Sequence, residues 1–185
     1  MTSLKKQIKV IDDYIPKKEQ EEIKKTLLGS DFLWQYVDDV SIKDNIHQKR
    51  PGFKHQFVHD SVVFSNHISV IRPLVDLKRV INARSFLQLP LNKEFIGRGV
   101  DTPHLDLTSP HNVILYYVCD SDGDTILYNY LSKDENDIPY FEDIKVEKKV
   151  KPKQGRAVLF NGLIWHTAEQ PTKNERCIIN INARV

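Results

Sequence analysis

The chain has 185 residues, of which 40% are hydrophobic and 28% charged, an ordinary mixture for a globular protein. This length is enough for a substantial core, and the absence of a linker-like stretch predicts one domain over residues 1–185. A formal net charge of +2 gives no support to a general nucleic-acid-binding role, so no nucleic-acid partner is expected.

The composition also bears on location. No apolar run approaches the roughly 20 residues of a membrane span, and the N-terminal segment MTSLKKQIKVIDDYIP lacks the apolar centre of a signal peptide. Cys119 and Cys177 lie in apolar, strand-like segments, where buried free thiols are favoured over a disulfide. We therefore expect a cytoplasmic protein with no membrane partner.

The first part of the chain favours helices after one short strand. Residues 7–15 read as that strand and end in an acidic turn. Pro16 suits the first turn of a helix, and Gly29 is a natural stop, so a helix is predicted between them. Residues 66–77 predict a second helix with one apolar side, although Pro73 lies inside it and weakens the prediction.

After Arg79 the pattern changes to short apolar runs separated by turn residues. Runs of this length and spacing are typical of an antiparallel sandwich or barrel. Residues 1–80 therefore form a helical lead-in and residues 81–185 a β core. The runs are VINARSFLQL, NVILYYVC, DTILYNYL, IKVEKKVK, RAVLFN and RCIININARV.

A short motif, His104-x-Asp106, carries residue types that suit a divalent first-row metal. In an extended backbone these two side chains point to the same side, and Pro103 favours extension just before them. His111 follows a turn and is expected at the surface. His166 is the better third ligand, because it follows a strand and a tight turn near the end of an element. Two histidines and one carboxylate form the facial triad of non-haem iron(II) oxygenases.

Arg176 is the next candidate, ten residues after His166 and at the start of the last strand. It shares one strand face with Ile178 and Asn180 by alternation. A buried charge needs an anion, and the planar guanidinium pairs well with a carboxylate. That anion is either a protein acid or the distal carboxylate of a bound dicarboxylate. Taken singly, each of these residues is more common as an ordinary core, turn or strand-edge residue; their order and spacing together argue against chance.

Several segments resemble the iron(II)- and 2-oxoglutarate-dependent dioxygenases, especially the prolyl-4-hydroxylase-like branch. The resemblance rests on PHLD, on VILYYVCDSDGDTILYN and on VKPKQGRAVLFNGLIWHTAEQPTKNERCIININ, which follow the order of the family's motifs. The N-terminal IKVIDDYIPKKEQEEIKKTLLGSDFLW is similar to the helical lead-in of small members. The likeness covers most of the chain, and it implies a mainly β fold with flanking helices (α+β), the double-stranded β-helix or jelly roll.

Carried over residue by residue, the resemblance implies His104, Asp106 and His166 as iron ligands and catalytic residues. It implies that Arg176 binds the distal carboxylate of 2-oxoglutarate. The implied activity is that of a hydroxylase that uses Fe(II), 2-oxoglutarate and O2 and releases succinate and CO2. Ascorbate is a further candidate cofactor. The protein's part in such chemistry is to position the reactants and to exclude water.

The cosubstrate pocket has three further candidates from the same resemblance. Tyr117 matches a position whose hydroxyl often contacts the distal carboxylate, although core packing is the ordinary role of such a tyrosine. Thr125 matches a position that lines the pocket, and Asn180 could touch cosubstrate or water. The chain departs from the family where a tyrosine usually precedes proline: Leu89 stands there, so that contact is missing or is supplied by a neighbour such as Gln88.

Two other functions stay open at this stage. A non-catalytic jelly-roll binding module would be expected to lose one of the ligands or Arg176, and a metal-dependent cupin-like enzyme without 2-oxoglutarate would not need Arg176. The substrate is a prolyl residue or another side chain of a peptide, or a free small molecule. The loops at residues 45–60 and 130–145 are expected to make that choice. The sequence does not indicate an oligomeric state.

Overall fold

Antiparallel strands make up most of the fold. The computed structural model describes residues 8–40, 50–92, 100–134, 136–140 and 142–185. A helix, α1, spans Lys17–Leu27. The strands are β1 (Ile8–Ile11), β2 (Gln35–Val37), β3 (Gly52–His59), β4 (Val62–Val63), β5 (Val80–Gln88), β6 (Asn112–Tyr117), β7 (Thr125–Leu131), β8 (Val146–Val150), β9 (Ala157–Asn161), β10 (Ile164–Ala168) and β11 (Arg176–Ala183).

The strands form a large sheet and a small sheet. The large one has the order β1-β9-β6-β11-β5-β3-β2, with β4 paired to β3, and the small one has the order β10-β7-β8. All of these pairs are antiparallel, in agreement with the jelly-roll prediction. Six of the nine paired combinations among the described strands join strands that are not consecutive in sequence, so residues from distant parts of the chain come together.

Each of the six apolar runs after Arg79 forms a strand, as predicted. Strands β3 and β10 were not predicted, for different reasons. The centre of β3 is polar, with Lys54, His55 and Gln56 in sequence, so it shows no apolar run. Strand β10 follows the tight turn that was predicted after β9, which consists only of Gly162 and Leu163, but the short segment after this turn was not predicted to be a strand.

The N-terminal part combines α1 with four strands. Strand β1 and helix α1 confirm the first two predicted elements. The helix predicted at residues 66–77 is wrong: only short 3₁₀ turns occur there, at Ile68–Val70 and Leu77–Arg79. Pro73 lacks the backbone N–H and the steric freedom that a helix through this segment would require. No helix in the described ranges is long and apolar enough to cross a bilayer.

Strand β11 separates two apolar clusters, and all eight of its residues are buried. Ile179 and Ile181 face the cluster that includes Leu27 of α1, on the outer side of the large sheet. Ile178 faces the cluster between the sheets, with Phe160. The other residues of β11 on the same face as Ile178 are the polar residues Arg176, Asn180 and Asn182. Buried polar side chains need hydrogen-bond partners, so this polar part of the space between the sheets is where we expect the candidate site.

Candidate active site

His104, Asp106 and His166 lie together between the two sheets. One ligand atom from each lies within 4.8 Å of the other two. The backbones of His104 and His166 form an antiparallel bridge, with N–H to O distances of 2.9 and 3.1 Å. His166 lies within β10 and not at the end of an element, contrary to expectation. The structure therefore brings the three predicted ligands together, and it does so through β10, a strand that was not predicted from the sequence.

Both imidazoles are oriented by their own backbone. Nδ1 of His104 lies 3.0 Å from the carbonyl oxygen of Thr102, and Nδ1 of His166 lies 3.1 Å from that of Ile164. Because a carbonyl only accepts, each Nδ1 carries the proton, and each Nε2 is left with a free lone pair. Burial and the neighbouring His104 lower the pKa of His166 to about 4. This histidine is therefore neutral near pH 7, the form that binds metals.

Asp106 is held as a carboxylate by three donors. Its side chain is only 1% exposed. One oxygen accepts hydrogen bonds from the amides of Asn180 and Asn182, at 2.9 and 3.0 Å, and the other accepts from Arg84. Burial alone would raise the pKa of Asp106, but the neighbouring His166, Arg84 and His104 hold this pKa below its usual range. Asn180 thus contacts Asp106, where the resemblance implied cosubstrate or water.

Arg176 is 3% exposed, and its described partners are all neutral. It donates to the carbonyl oxygen of Gly123 at 3.0 Å, to Oε1 of Gln88 at 3.0 Å and to Oγ1 of Thr125 at 2.9 Å. No carboxylate among the described residues lies within ion-pair distance of it. Asp101 acts on Arg176 electrostatically but forms its ion pair with Arg50, so in the described part of the chain no protein acid pairs directly with Arg176.

Tyr117 lies behind Thr125. Its hydroxyl donates to Oγ1 of Thr125 at 2.7 Å, and Thr125, but not Tyr117, lines the cavity. Burial raises the pKa of Tyr117 to about 12, so it stays protonated. Because Oγ1 of Thr125 already accepts from Tyr117 and Arg176, its own proton is free to be donated into the cavity.

Gln88 supplies the polar group that Leu89 cannot. Leu89 is 46% exposed, whereas Gln88 is buried and lines the cavity. The Oε1 atom of Gln88 accepts a hydrogen bond from Arg176, so Gln88 provides a polar contact that Leu89 has no group to make. The substitute that the sequence suggested is therefore present in the structure.

Gly123 permits the close packing of the turn before β7. A Cβ atom at this position would lie 2.6 Å from the carbonyl oxygen of Glu169 and 3.1 Å from Cδ of Arg176. Real side chains do not approach this closely without displacing the backbone. A side chain at position 123 would therefore collide with the backbone at Glu169 and with the Arg176 side chain, so the turn Asp122-Gly123-Asp124 needs glycine at its centre.

Asp122 fixes the loop before β11. It accepts hydrogen bonds from the hydroxyl and N–H of Thr172 and from the N–H groups of Lys173 and Asn174. Burial alone would raise the pKa of Asp122, but these donors lower it from 3.8 to about 2. The stabilisation is therefore complete above about pH 3.8 and is lost as the pH falls towards 2.

We expect Asp122→Asn to lower the free energy of unfolding by about 1 kcal/mol at neutral pH, near the low end for hydrogen bonds to a charged group that is partly exposed. Urea denaturation should show this difference shrinking between about pH 4 and pH 2, because the native carboxylate is then protonated. Asp143→Asn, at an exposed aspartate, is the control. A difference that stays constant over this range contradicts the role of Asp122.

The three candidate ligands open into a cavity of about 240 Å³ that also contains Arg176. The sequence did not single out several of the polar residues around it. One of these is Arg84, which lies on the same face of β5 as Gln88, and this alternation along the strand was the available signal. Asp101 also lines the cavity, where it forms a buried ion pair with Arg50. The remaining lining residues are Val40, Phe86, Leu105, Leu115, Thr167, Ala168, Ile178 and Asn180.

His111 is fully buried, so the expectation of a surface position is wrong. Its Nδ1 lies 2.7 Å from the carbonyl oxygen of Ser109, and Gly162 packs against its ring. The turn before β6 folds inward beneath the β9–β10 turn, which is a tertiary contact that the local sequence does not indicate. His111 is not one of the three clustered ligands.

No family model and no curated sequence matches the chain. Solved structures do match. An oxidoreductase of the 2OG-Fe(II) oxygenase family from Burkholderia pseudomallei aligns with a TM-score of 0.65 at 11% identity, over 96% of this chain and 85% of that one. A prolyl hydroxylase from Trichoplax adhaerens, in complex with a peptide fragment of hypoxia inducible factor, gives 0.63 at 12%, over 97% and 84%.

A third match is the non-haem α-ketoglutarate-dependent epimerase SnoN from nogalamycin biosynthesis. It has a TM-score of 0.64 at 12% identity, over 97% of this chain and 79% of that one. At such low identity the likeness concerns the fold, which is the same in proteins named for different reactions. The chain has the jelly-roll fold of the iron(II)- and 2-oxoglutarate-dependent oxygenases.

Proposed function

We propose that the protein is an iron(II)- and 2-oxoglutarate-dependent oxygenase. The observation that carries the proposal is Arg176, a buried cation whose described hydrogen-bond partners are all neutral, in the same cavity as His104, Asp106 and His166. A buried guanidinium is unfavourable without an anion, so the cavity favours a ligand with a negative group at this end.

The donor set fits iron(II). His104 and His166 would each offer Nε2, and Asp106 would offer a carboxylate oxygen. Two imidazoles and one carboxylate leave positions of an octahedral ion open for other ligands. Asn180 and Asn182 would hold Asp106 in place, as outer hydrogen-bond partners do at metal centres.

The cavity also fits 2-oxoglutarate, a dicarboxylate. Arg176 would bind the distal carboxylate, Thr125 would donate its free hydroxyl proton to it, and Gln88 and Tyr117 would hold these two groups in position. When bound, iron(II), 2-oxoglutarate and O2 supply the oxidation of a substrate C–H bond, with release of succinate and CO2. The apolar residues that line the cavity, Phe86, Leu115 and Ile178, would keep bulk water away.

Hydroxylation is the reaction that we propose, because the chain resembles the prolyl-4-hydroxylase-like branch. It also keeps a carboxylate at Asp106, where the halogenating relatives of this family have a small residue that opens a site for halide. The fold alone does not select it, since the matched structures include a prolyl hydroxylase and an epimerase. The proposed substrate is a peptide side chain or a small molecule. Residues 41–49, 93–99, 135 and 141, which include parts of the loops expected to choose it, lie outside the described residues.

The two alternatives are less well supported. A metal-dependent cupin-like enzyme that does not use 2-oxoglutarate would not need Arg176, Gln88 and Thr125 grouped together in the cavity. A binding module has no use for two histidines and a carboxylate whose ligand atoms lie within 4.8 Å of one another. The complete set of ligands and anion-binding groups favours catalysis over both.

The proposal is tested by measuring succinate. Protein loaded with iron(II) is incubated with 2-oxoglutarate, O2 and ascorbate as reductant, with and without candidate substrates. We expect iron-dependent succinate formation that stops when a chelator removes the metal. Absence of both succinate and 2-oxoglutarate binding would overturn the proposal.

Asn180→Ala tests the support of Asp106. We expect a loss of about 10- to 100-fold in iron affinity, as is typical when an outer hydrogen-bond partner of a metal ligand is removed. Asn82→Ala is a matched control, because Asn82 and Asn180 are 7% and 6% exposed but Asn82 accepts from the backbone of Asp60. Metal titration of both variants makes the comparison. Equal affinities would show that Asn180 does not hold Asp106 for the metal.

A further inference from the structure

Strands β3 and β5 carry two cations on one face, and on β5 this is the face that lines the cavity. Lys54 of β3 pairs with Phe86 of β5, and Gln56 pairs with Arg84. Directly paired residues of two antiparallel strands point to the same face of the sheet. Lys54 and Gln56 therefore lie on the same face as Arg84 and Phe86, which line the cavity. Lys54 and Arg84 are therefore diagonal neighbours across the two strands.

Arg84 has hydrogen-bonding capacity beyond Asp106. One terminal nitrogen donates to Asp106, and its guanidinium lies 5.6 Å from the centre of the Phe86 ring. Its Nε is buried and has no hydrogen-bond partner among the described residues. A buried donor without a partner is unfavourable, and the side chain is 27% exposed, so a ligand in the cavity can reach it.

Lys54 has no carboxylate within ion-pair distance in the described ranges. It is half-buried, and burial together with the positive charge of Arg84 lowers its pKa. Arg84 is paired with Asp106, but its positive charge still repels that of Lys54, and an anionic ligand between the two side chains would relieve this repulsion.

The other charges of the cavity have partners once the proposed cofactors are considered. Arg50 pairs with Asp101. Arg176 would pair with the distal carboxylate of 2-oxoglutarate. Asp106 and the other carboxylate of 2-oxoglutarate would balance a divalent metal. Among the described residues, Lys54 has no anionic partner, and the cavity-lining Arg84, although it is paired with Asp106, keeps an Nε without a partner.

We propose that the substrate carries a carboxylate or phosphate group that binds between Lys54 and Arg84, beside the metal. This inference rests on the proposed function and deepens it, because it names the chemical class of the substrate. The arrangement places the oxidised C–H bond close to an anionic group. It disfavours a neutral or cationic substrate, which would offer no anion to Lys54 or to the Nε of Arg84.

The test uses paramagnetic relaxation, which detects weak binding near a metal without turnover. The full chain is loaded with Mn(II) in place of iron and saturated with 2-oxoglutarate. Proton relaxation is then measured for four probes: N-acetyl-aspartate amide, N-acetyl-asparagine amide, N-acetyl-phosphoserine amide and N-acetyl-serine amide. The first pair tests a carboxylate against its neutral amide, and the second pair tests a phosphate against its neutral alcohol.

We expect at least one anionic probe to show about tenfold stronger enhancement than its neutral partner, in line with hydrogen bonds to charged groups. Lys54→Gln should remove most of that difference and Lys54→Arg should keep it. Lys9→Gln is the control, since Lys9 is exposed on β1 at the opposite edge of the same sheet. Arg84→Lys tests the contribution of the Arg84 guanidinium, because this substitution keeps a positive charge near Asp106.

The outcomes separate the two proposals. If Mn(II) and 2-oxoglutarate bind but anionic and neutral probes relax equally, the inference is overturned and the proposed function stands. A preference that Lys54→Gln leaves intact also overturns it. If neither Mn(II) nor 2-oxoglutarate binds, the proposed function fails, and this inference fails with it.

Discussion

Replacing His166 with alanine should abolish iron-dependent succinate formation. The variant would lose one of the three proposed ligands, and the remaining His104 and Asp106 cannot hold the metal alone. We expect iron affinity to fall by at least about 100-fold, because even outer-shell partners of a metal site are worth about 10- to 100-fold. Metal titration and succinate release measure the two effects.

Two further variants make this result specific. His59→Ala removes an exposed histidine of β3 and should change neither quantity. Asp106→Asn keeps the size of a ligand side chain but removes its charge, so it should also lose metal binding. Because His166 is buried, thermal unfolding must show that His166→Ala is folded at the assay temperature. A folded variant with unchanged iron affinity would contradict the assignment of His166.

Replacing Arg176 with alanine should weaken 2-oxoglutarate binding far more than iron binding. A lost hydrogen-bonded charge pair of about 1.5 to 3 kcal/mol corresponds to roughly 10- to 150-fold in affinity. Arg176→Lys should lie between the wild type and the alanine variant, because an ammonium keeps the charge but not the planar fork. Equilibrium binding of 2-oxoglutarate to the metal-loaded protein provides the measurement.

The alanine variant also leaves Gly123, Gln88 and Thr125 without their common donor, so its stability must be measured separately. Arg79→Ala, at an exposed arginine that donates to the carbonyl oxygen of Arg184, is the control for loss of a positive charge. If Arg176→Ala is folded and still needs 2-oxoglutarate at the wild-type concentration, Arg176 does not bind the cosubstrate.

Strand β11 supplies much of the candidate site. Arg176 at its start lines the end of the cavity proposed for 2-oxoglutarate, and Asn180 and Asn182 donate hydrogen bonds to Asp106. The outward residues Ile179 and Ile181 anchor the strand in the cluster beneath α1. Burial on both faces leaves this strand little freedom to move, and a rigid support of this kind suits a site that must hold a metal and an anion in fixed relation.

The failed predictions have a common origin in contacts between distant segments. His111 follows a turn and was expected to be solvated, but its burial depends on Gly162 in the β9–β10 turn. The apolar positions at residues 66–77 have helical spacing, yet the segment packs against the core as turns. Local patterns describe which residues are apolar, but they do not describe what covers them.

The sequence by itself determined the local elements and the order of the candidate ligands. Apolar runs of strand length predicted β5, β6, β7, β8, β9 and β11, and two-residue alternation predicted that His104 and Asp106 converge and that Arg176 and Asn180 share a face. These features depend on a few neighbouring residues, so a single sequence is enough to reveal them.

Only the tertiary structure decided the partners. The bridge between His104 and His166, the contact of Arg84 with Asp106 and the placement of Lys54 beside Phe86 all depend on the register between strands far apart in sequence. That register is determined by burial of one face and by backbone pairing across the whole sheet, and a shift of one residue would turn each of these side chains to the other face.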